Sequence, residues 1–137
     1  MSAPIMPQRR VSLRRRPAIL ARMAVAVARP LSMLPPHLLC RVLVLLVKGT
    51  RPPIAAAVLS WRDAVNTVSR RCAGEGCLQR SVAVVLLGRF HGAPPAWKTG
   101  FRPNPFVAHA WVEVNGVPIG EPEAVAHFHT VLAVAHR

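Results

Sequence analysis

The feature that most constrains the fold is the segment FVAHAWVEVNGVPIGEPE, residues 106 to 123, which alternates as a strand up to an Asn-Gly turn. A period of two places successive side chains on opposite faces of a strand, and Asn-Gly is a strong hairpin signal. The segment therefore predicts an antiparallel hairpin. One face of its first strand carries Val107, His109, Trp111 and Glu113, and the other carries Ala108, Ala110, Val112 and Val114.

Two loops fit the Asn-Gly turn, and they place the carboxylate of Glu121 differently. A two-residue type I′ loop sets Glu121 opposite Ala110, on the wrong face to meet His109. A three-residue loop, in which Gly116 forms a left-handed bulge, sets Glu121 directly opposite His109. Opposed residues have Cβ atoms about 5 Å apart, which would let a carboxylate hold an imidazole. We predict the three-residue loop.

The second constraining segment is AGEGCLQRSVAVVLL, residues 73 to 87. Gly74 and Gly76 interrupt the chain before Cys77, and the apolar residues that follow recur at helical spacing. We therefore expect Cys77 in the first turn of a helix. The unpaired N–H groups and the positive end of the helix dipole favour a thiolate there, so the sulfur becomes a nucleophile near neutral pH.

Three further helices are predicted before this one, over residues 18 to 28, 37 to 47 and 54 to 70. Pro30 should stop the first of them, and Arg62 in the third should face solvent. The apolar run of the second is far shorter than the roughly 20 residues that span a bilayer. We therefore expect this helix to be buried in the protein or to face a partner. The rival interpretation is that these basic, apolar helices lie on a membrane surface.

Between the nucleophile helix and the hairpin, residues 93 to 105 are predicted to be a proline-rich loop. Two prolines deny such a segment ladder hydrogen bonds and hold it extended beside the His109 strand. Trp97 and Phe101 lie in this loop. We expect them to form one wall of a peptide groove.

Charge and length narrow the class of protein further. The 137 residues suit one domain, or one domain with a helical extension. The formal charge of +13 is uneven, because all five acidic residues follow residue 62. Such a charge favours an acidic partner or reflects a solvated basic surface. We expect no nucleic acid partner, because aromatic residues are only 5% of the chain and no base-stacking motif occurs.

The cysteines and histidines bear on redox compartment and on cofactors. Cys40, Cys72 and Cys77 form no disulfide pattern, which fits a reducing compartment, and we expect a cytoplasmic protein. They also lack the paired spacing of a zinc site. His127 and His129 share a face of a predicted C-terminal strand without a third ligand, and no Gly-rich phosphate loop precedes a lysine. We expect no metal, nucleotide or other cofactor.

Taken together, CLQRSVAVVLL and PFVAHAWVEVNGVPIGEPE resemble the transglutaminase-like cysteine proteases that remove leader peptides in lasso-peptide biosynthesis. Within that family the chain is similar to the standalone peptidase of split systems, in which a separate leader-recognition protein delivers the precursor. The matching motifs cover residues 72 to 123. The basic N-terminal region, with the segment WRDAV at residues 61 to 65, also fits the standalone form.

The resemblance implies an α+β fold of the papain and transglutaminase type, in which the catalytic helix packs on a small antiparallel sheet. We expect three parts along the chain. A flexible basic N-terminus spans residues 1 to 16, a helical region for partner docking spans residues 17 to 60, and the protease core spans residues 61 to 137.

By the same resemblance, Cys77 is the nucleophile, His109 is the general base and acid, and Glu121 is the acid that orients the imidazole. The better-known fused members place Asp at the third position, so the longer Glu side chain is a departure. The alternatives weighed are Cys72 for the nucleophile, and Glu113 and Glu123 for the acid.

The function implied is cleavage of the leader from a ribosomally made lasso-peptide precursor. The partners implied are the leader-recognition protein, the precursor as substrate, and an ATP-dependent lasso cyclase that forms the macrolactam afterwards. The backbone N–H of Cys77 is the natural oxyanion donor, with the Gln79 side chain or the Trp97 indole as guesses for a second. Two rivals remain: an acyltransferase or transglutaminase with the same triad, and a noncatalytic basic adaptor for membranes or proteins.

Overall fold

The computed structural model describes residues 12 to 135, and within this range helices come first and strands follow. The helices are α1 (Arg15–Ser32), α2 (Pro36–Val47), α3 (Ala55–Val68), α4 (Arg70–Ala73) and α5 (Cys77–Phe90). The strands are β1 (Ala96–Pro103), β2 (Phe106–Val114), β3 (Val117–Pro118) and β4 (His129–Val134), with a 3-10 helix over Glu123–His127. Of the predicted flexible N-terminus, residues 1 to 11 lie outside the described residues.

Helix α5 is the element around which the layers are arranged. The strands form one antiparallel sheet in the order β3-β2-β1-β4, and α5 packs against β1 and β2 as well as against α1, α2 and α3. Most of its side chains are buried, as expected for a helix enclosed by other elements. The predicted α+β fold is confirmed: a central helix, a sheet of four short strands, and further helices around them.

The first helix is longer than the sequence predicted. It continues to Ser32 and so contains Pro30, which we expected to stop it. Proline in the last turn removes only one hydrogen bond near a helix end, where some backbone groups already lack helical partners. The helix is held instead by its buried alanine face, formed by Ala21, Ala24 and Ala28. Packing therefore overrides the local stop signal.

The predicted loop over residues 93 to 105 is wrong for most of its length, because residues 96 to 103 form β1 in the interior of the sheet. Pro94 and Pro95 precede the strand and Pro103 ends it, so all three fall where no ladder hydrogen bond is lost. Trp97 is fully buried, and its Nε1 donates to Ser81 Oγ at 2.9 Å. It therefore belongs to the core and cannot form a groove wall.

The hairpin uses the register that we did not choose. Val114 pairs with Val117, and the two residues between them have positive φ, 53° for Asn115 and 78° for Gly116. These are the features of the two-residue type I′ loop, whose twist matches that of the strands it joins. The predicted three-residue loop is therefore wrong. Because β3 ends at Pro118, Glu121 lies outside the strand ladder altogether.

The tight contact between Gly88 and the segment after α5 tests whether packing or helix propensity dominates at this position. A Cβ atom on Gly88 of α5 would lie 2.5 Å from Pro94 Cα and 2.9 Å from Pro95 Cδ. Glycine in a helix interior usually gains about 1 kcal/mol on replacement by alanine. Overpacking against backbone costs about 1 to 3 kcal/mol. We expect Gly88→Ala to lower the free energy of unfolding by up to about 2 kcal/mol in urea denaturation, and an increase would show that this packing is loose.

The N-terminal helices contribute to the same hydrophobic core as the sheet, since Ala24 of α1, Leu43 of α2 and Val134 of β4 belong to one buried cluster. Their outer faces carry exposed apolar side chains, among them Met23 and Leu45. No helix within residues 12 to 135 combines the length and apolar character needed to cross a membrane. The use of residues 17 to 60 for partner docking stays a prediction.

Candidate active site

Cys77 is the first residue of α5, as the sequence predicted. Gly76 precedes it as the cap, and its N–H donates to the Arg71 carbonyl at 2.8 Å. A Cβ atom on Gly76 would lie 2.7 Å from that same oxygen, so a larger residue could not make this close approach without a shift of backbone. The glycine thus lets the chain fold back against α4 immediately before the thiol.

His109 and Glu121 meet although the predicted register is wrong. The Nε2 atom of His109 lies 2.6 Å from Oε1 of Glu121. After β3, the Ile119 N–H donates to the Val112 carbonyl at 3.0 Å, and Gly120 turns the chain with φ at 70°. The carboxylate therefore reaches the imidazole from a turn beyond the short strand. The contact was predicted correctly, but for the wrong geometric reason.

The thiol and the imidazole form the second contact of the site. Burial alone would raise the pKa of the Cys77 thiol, but the hydrogen bond to His109, its positive charge, the Ala110 N–H and the Arg80 charge lower it below the ordinary value. Burial lowers the pKa of His109, but hydrogen bonds to Cys77 and Glu121 and their charges raise it to about 9. Near neutral pH these shifts favour a thiolate beside an imidazolium.

Only one ring nitrogen of His109 is left to serve the sulfur. Glu121 engages Nε2, so Nδ1 is the nitrogen that remains for Cys77. A carboxylate on one nitrogen fixes the tautomer and orientation of the ring, and the other nitrogen can then accept or donate the proton of a reacting group. The three side chains are thus arranged in the order thiol, imidazole, carboxylate.

Two buried arginines, which the sequence analysis missed, complete the surroundings of Glu121. Arg62 Nη2 lies 3.2 Å from Glu121 Oε2, and Arg80 Nη2 lies 3.8 Å from the same atom. Burial alone would raise the pKa of Glu121, but the hydrogen bond to His109 and the charges of His109, Arg62 and Arg80 lower it. The carboxylate is therefore ionised throughout the neutral range.

The expectation that Arg62 faces solvent is wrong, since its side chain is only 5% exposed. A signal for this was present: Val58 and Val65, four residues before and three after it, lie on the buried face of α3. Arg80 likewise follows Cys77 by three residues, which places both on one side of α5. In each case helical spacing indicates the buried face, and for Arg62 the preference of arginine for water led to the wrong prediction.

The competing residues occupy other surroundings. Cys72 is fully buried, and burial raises the pKa of its thiol despite the Ser69 hydroxyl and nearby arginines. Glu113 accepts a hydrogen bond from Trp111 Nε1 at 2.8 Å and lies 3.1 Å from Lys98 Nζ. Glu123 is exposed at the start of the 3-10 helix. None of these three has a contact with His109 in the described residues.

Of the two guesses for a second oxyanion donor, the Trp97 indole does not fit. The Gln79 side chain lines the groove and has a second N–H on Nε2, so that guess stays a prediction. Gln79 Nε2 donates to the Val25 carbonyl at 3.0 Å, and its Oε1 accepts from Arg71. The Trp97 indole donates to Ser81 inside the core. The backbone N–H of Cys77, at the start of a 14-residue helix, keeps its expected place beside the sulfur.

The thiol and the imidazole open into a groove of about 540 Å³. Phe101, Phe106 and Val131 contribute apolar side chains to its lining, and Arg29 and Arg71 contribute basic ones. The placement of Phe101 agrees with the groove wall predicted from sequence, although it projects from a strand. Within residues 12 to 135, no group of three or more His, Cys, Asp or Glu side chains is arranged to hold a metal ion.

The comparison with protein families bears on the whole of this arrangement. The sequence model of a family described as the Transglutaminase-like superfamily matches residues 21–133. No curated protein matches the chain, and no solved structure does. The matched range takes in the cysteine helix, the histidine strand and the turn that carries the carboxylate.

Proposed function

Because the chain belongs to the transglutaminase-like superfamily, we propose that it is a cysteine peptidase that removes the leader from a ribosomally made lasso-peptide precursor. Superfamily membership supports the broader class, a cysteine-dependent protease or acyltransferase. The observation that carries the proposal is the succession of Cys77, His109 and Glu121, with Cys77 and His109 lining an open groove and Nε2 of the imidazole 2.6 Å from the buried carboxylate. This is the arrangement that nucleophilic acyl transfer requires.

The reaction proceeds in two steps. In the first, the Cys77 thiolate attacks the carbonyl carbon that joins leader to core, and a C–S bond forms while the electron pair moves to oxygen. The imidazolium of His109 then donates its proton to the amine nitrogen as the C–N bond breaks, leaving a thioester. In the second, water attacks the thioester, His109 takes the water proton, and the thiolate is released.

Two groups stabilise the charges that develop. The Cys77 N–H, at the positive end of α5, donates to the oxyanion of the tetrahedral intermediate. The ionised Glu121 stabilises the imidazolium and holds the ring in place. The exposed amine of the core peptide is the group that an ATP-dependent lasso cyclase would join to a side-chain carboxyl.

An extended peptide suits the open edge of β2. Val114 and Val117 pair across the type I′ turn, so the main-chain groups of Val114, and of alternate residues back to Ala108, point away from β1. The Ile119 N–H donates to the Val112 carbonyl, which confirms that this alternate set of main-chain groups faces away from β1. Within the described residues β3 does not reach Ala108, which lines the groove. A substrate can therefore add its backbone to this edge as an extra strand.

A separate leader-recognition protein would supply much of the specificity. All five acidic residues follow residue 62, so the N-terminal helices present basic side chains without acidic neighbours in sequence. Together with exposed apolar residues such as Met23 and Leu45, they suit a partner with an acidic and apolar surface. We place the complex in the cytoplasm, where free thiols stay reduced.

The test is incubation of the protein with a lasso-peptide precursor and a leader-recognition protein, followed by mass spectrometry. We expect two fragments whose summed mass exceeds that of the precursor by one water. Transfer of the acyl group to an added amine would instead indicate a transglutaminase or acyltransferase, which the superfamily match accommodates equally. An intact precursor, with Cys77 alkylated by iodoacetamide no faster than a free cysteine, would favour the noncatalytic adaptor.

A further inference from the structure

We propose that Arg62 and Arg80 are positioning residues, which hold the Glu121 carboxylate so that Oε1 faces His109. The inference rests on the proposed cysteine chemistry of the site. It assigns a role to two charges that the reaction itself does not consume. The arginines come from different helices, α3 and α5, and both approach the carboxylate oxygen that is not used by the imidazole.

The geometry divides the two oxygens of Glu121 between two tasks. Oε1 lies 2.6 Å from Nε2 of His109, and Oε2 lies 3.2 Å from Arg62 and 3.8 Å from Arg80. The two oxygens are equivalent, so a half-turn about the last side-chain bond restores the same contacts, but any smaller rotation breaks both sets. Glutamate has one more rotatable bond than aspartate, so holding it in one orientation costs more entropy. Two cations on the distal oxygen offset that cost.

The backbone before Glu121 is fitted to the Arg62 side chain. Gly120 has φ at 70°, and a Cβ atom there would lie 2.7 Å from Arg62 Cδ and 2.9 Å from its Nε. The absence of a side chain therefore allows the arginine to run along the turn that delivers the carboxylate. The close approach makes Arg62 part of the turn, because it contacts both the residue before Glu121 and the carboxylate itself.

Arg80 joins the carboxylate to the segment that leads into the nucleophile helix. Its Nη1 donates to the Cys72 carbonyl at 2.8 Å, while Nη2 faces Glu121. Cys72 lies in α4, whose Arg71 carbonyl in turn accepts from Gly76 immediately before Cys77. The Arg80 guanidinium thus links the Glu121 carboxylate to the segment that precedes Cys77. Lysine could supply the charge but could not form both contacts with one fixed fork.

The two arginines also compensate the negative charge of the buried Glu121 carboxylate. A buried carboxylate is costly unless it is paired and hydrogen-bonded, and the Glu121 side chain is only 3% exposed. The titratable and charged groups that face it are His109 from β2, Arg62 from α3 and Arg80 from α5. The charges of both arginines lower the pKa of Glu121 in addition to the effect of His109, and so favour the ionised carboxylate.

The experiment is a double-mutant cycle read by the rate of Cys77 alkylation with iodoacetamide at neutral pH, followed by peptide mass mapping. We expect Arg62→Gln to slow alkylation about tenfold, the size of one hydrogen bond to a charged group. The reason is that a carboxylate free to rotate supports the imidazolium less well. Arg62→Lys should recover part of the rate, since it keeps the charge. Arg62→Gln should add nothing further in a Glu121→Gln background.

Arg89→Gln is the matched control, because Arg89 is exposed on the same helix as Arg80 and the substitution is the same. It should leave the alkylation rate unchanged. Arg80→Gln gives an independent measurement if Arg62→Gln does not fold, and thermal unfolding is recorded for every variant. A slower rate that is additive with Glu121→Gln would overturn the proposal and leave the arginines a purely structural role. An unchanged or faster rate would do the same.

The outcome is separable from that of the peptidase proposal. Alkylation reports the state of Cys77 and His109 without any peptide substrate. If the cycle behaves as expected and the precursor stays intact, the positioning role stands while the substrate assignment fails. If the precursor is cleaved and Arg62→Gln alkylates at the wild-type rate, the reverse holds.

Discussion

Cys77→Ala is expected to abolish cleavage of the precursor, with a loss of about 10⁶ in rate, because no other group near His109 can form the thioester. The thiol lies at the start of α5 and lines the groove. Burial alone would raise its pKa, but the contact with the His109 imidazole is the main effect that lowers it below the ordinary value. The measurement is the appearance of core peptide by mass spectrometry under single-turnover conditions. Alanine leaves the helix itself well formed, so the variant should melt near the wild-type temperature.

Cys72→Ala is the control for this prediction. Cys72 is fully buried, and burial raises the pKa of its thiol, so it is a core residue by both measures. Its replacement should lower stability modestly and leave cleavage intact in the folded fraction. The reverse pattern, with Cys72→Ala inactive and Cys77→Ala active, would overturn the assignment of the nucleophile.

The second large effect is expected for Glu121→Gln, with a loss of about 10³- to 10⁴-fold in the cleavage rate, by analogy with neutralising the acid of a serine-protease triad. The amide no longer stabilises the imidazolium, so the pKa of His109 falls from about 9. The thiolate and imidazolium then revert toward the neutral thiol and imidazole. Alkylation of Cys77 at neutral pH should slow accordingly and recover only at alkaline pH, toward the pKa of about 8.5 of a free cysteine.

Glu123→Gln is the matched control, because it makes the same change two residues later on an exposed side chain. It should leave the cleavage rate and the alkylation profile as in the wild type. Should Glu121→Gln cleave normally while Glu123→Gln or Glu113→Gln is inactive, the acid of the site would have to be reassigned. Glu113 already has partners in Lys98 and Trp111, so its loss is expected to act on stability.

The local parts of the site were readable from the sequence. Two glycines before a run of helical spacing located the start of α5 at Cys77, and alternation located β2 with His109. Such patterns depend on neighbours within a few residues, which the sequence shows directly. The predicted contact between His109 and Glu121 was also correct. It rested, however, on a three-residue loop that the hairpin does not have.

That error shows why the contact could not be derived from strand register. The type I′ turn moves the second strand by one residue, which reverses the face of every side chain that stays in the ladder. Glu121 escapes this consequence because β3 has only two residues and Gly120 turns the chain beyond it. Where a strand stops depends on what packs around it. The side chain of Arg62 occupies the space beside Gly120, and no pattern in the sequence near residue 120 predicts this contact.

The sequence alone determined the helix start at Cys77 and the strand that carries His109, because short-range spacing governs these features, and its resemblance to a known family implied the class of fold. Tertiary structure alone decided that residues 96 to 103 pair as an interior strand, that Trp97 belongs to the core, and that Glu121 reaches His109 from a turn. It also brought two arginines, distant in sequence, onto one carboxylate oxygen. The physical reason is that a buried charge is stable only with partners, and those partners meet only when the chain has folded.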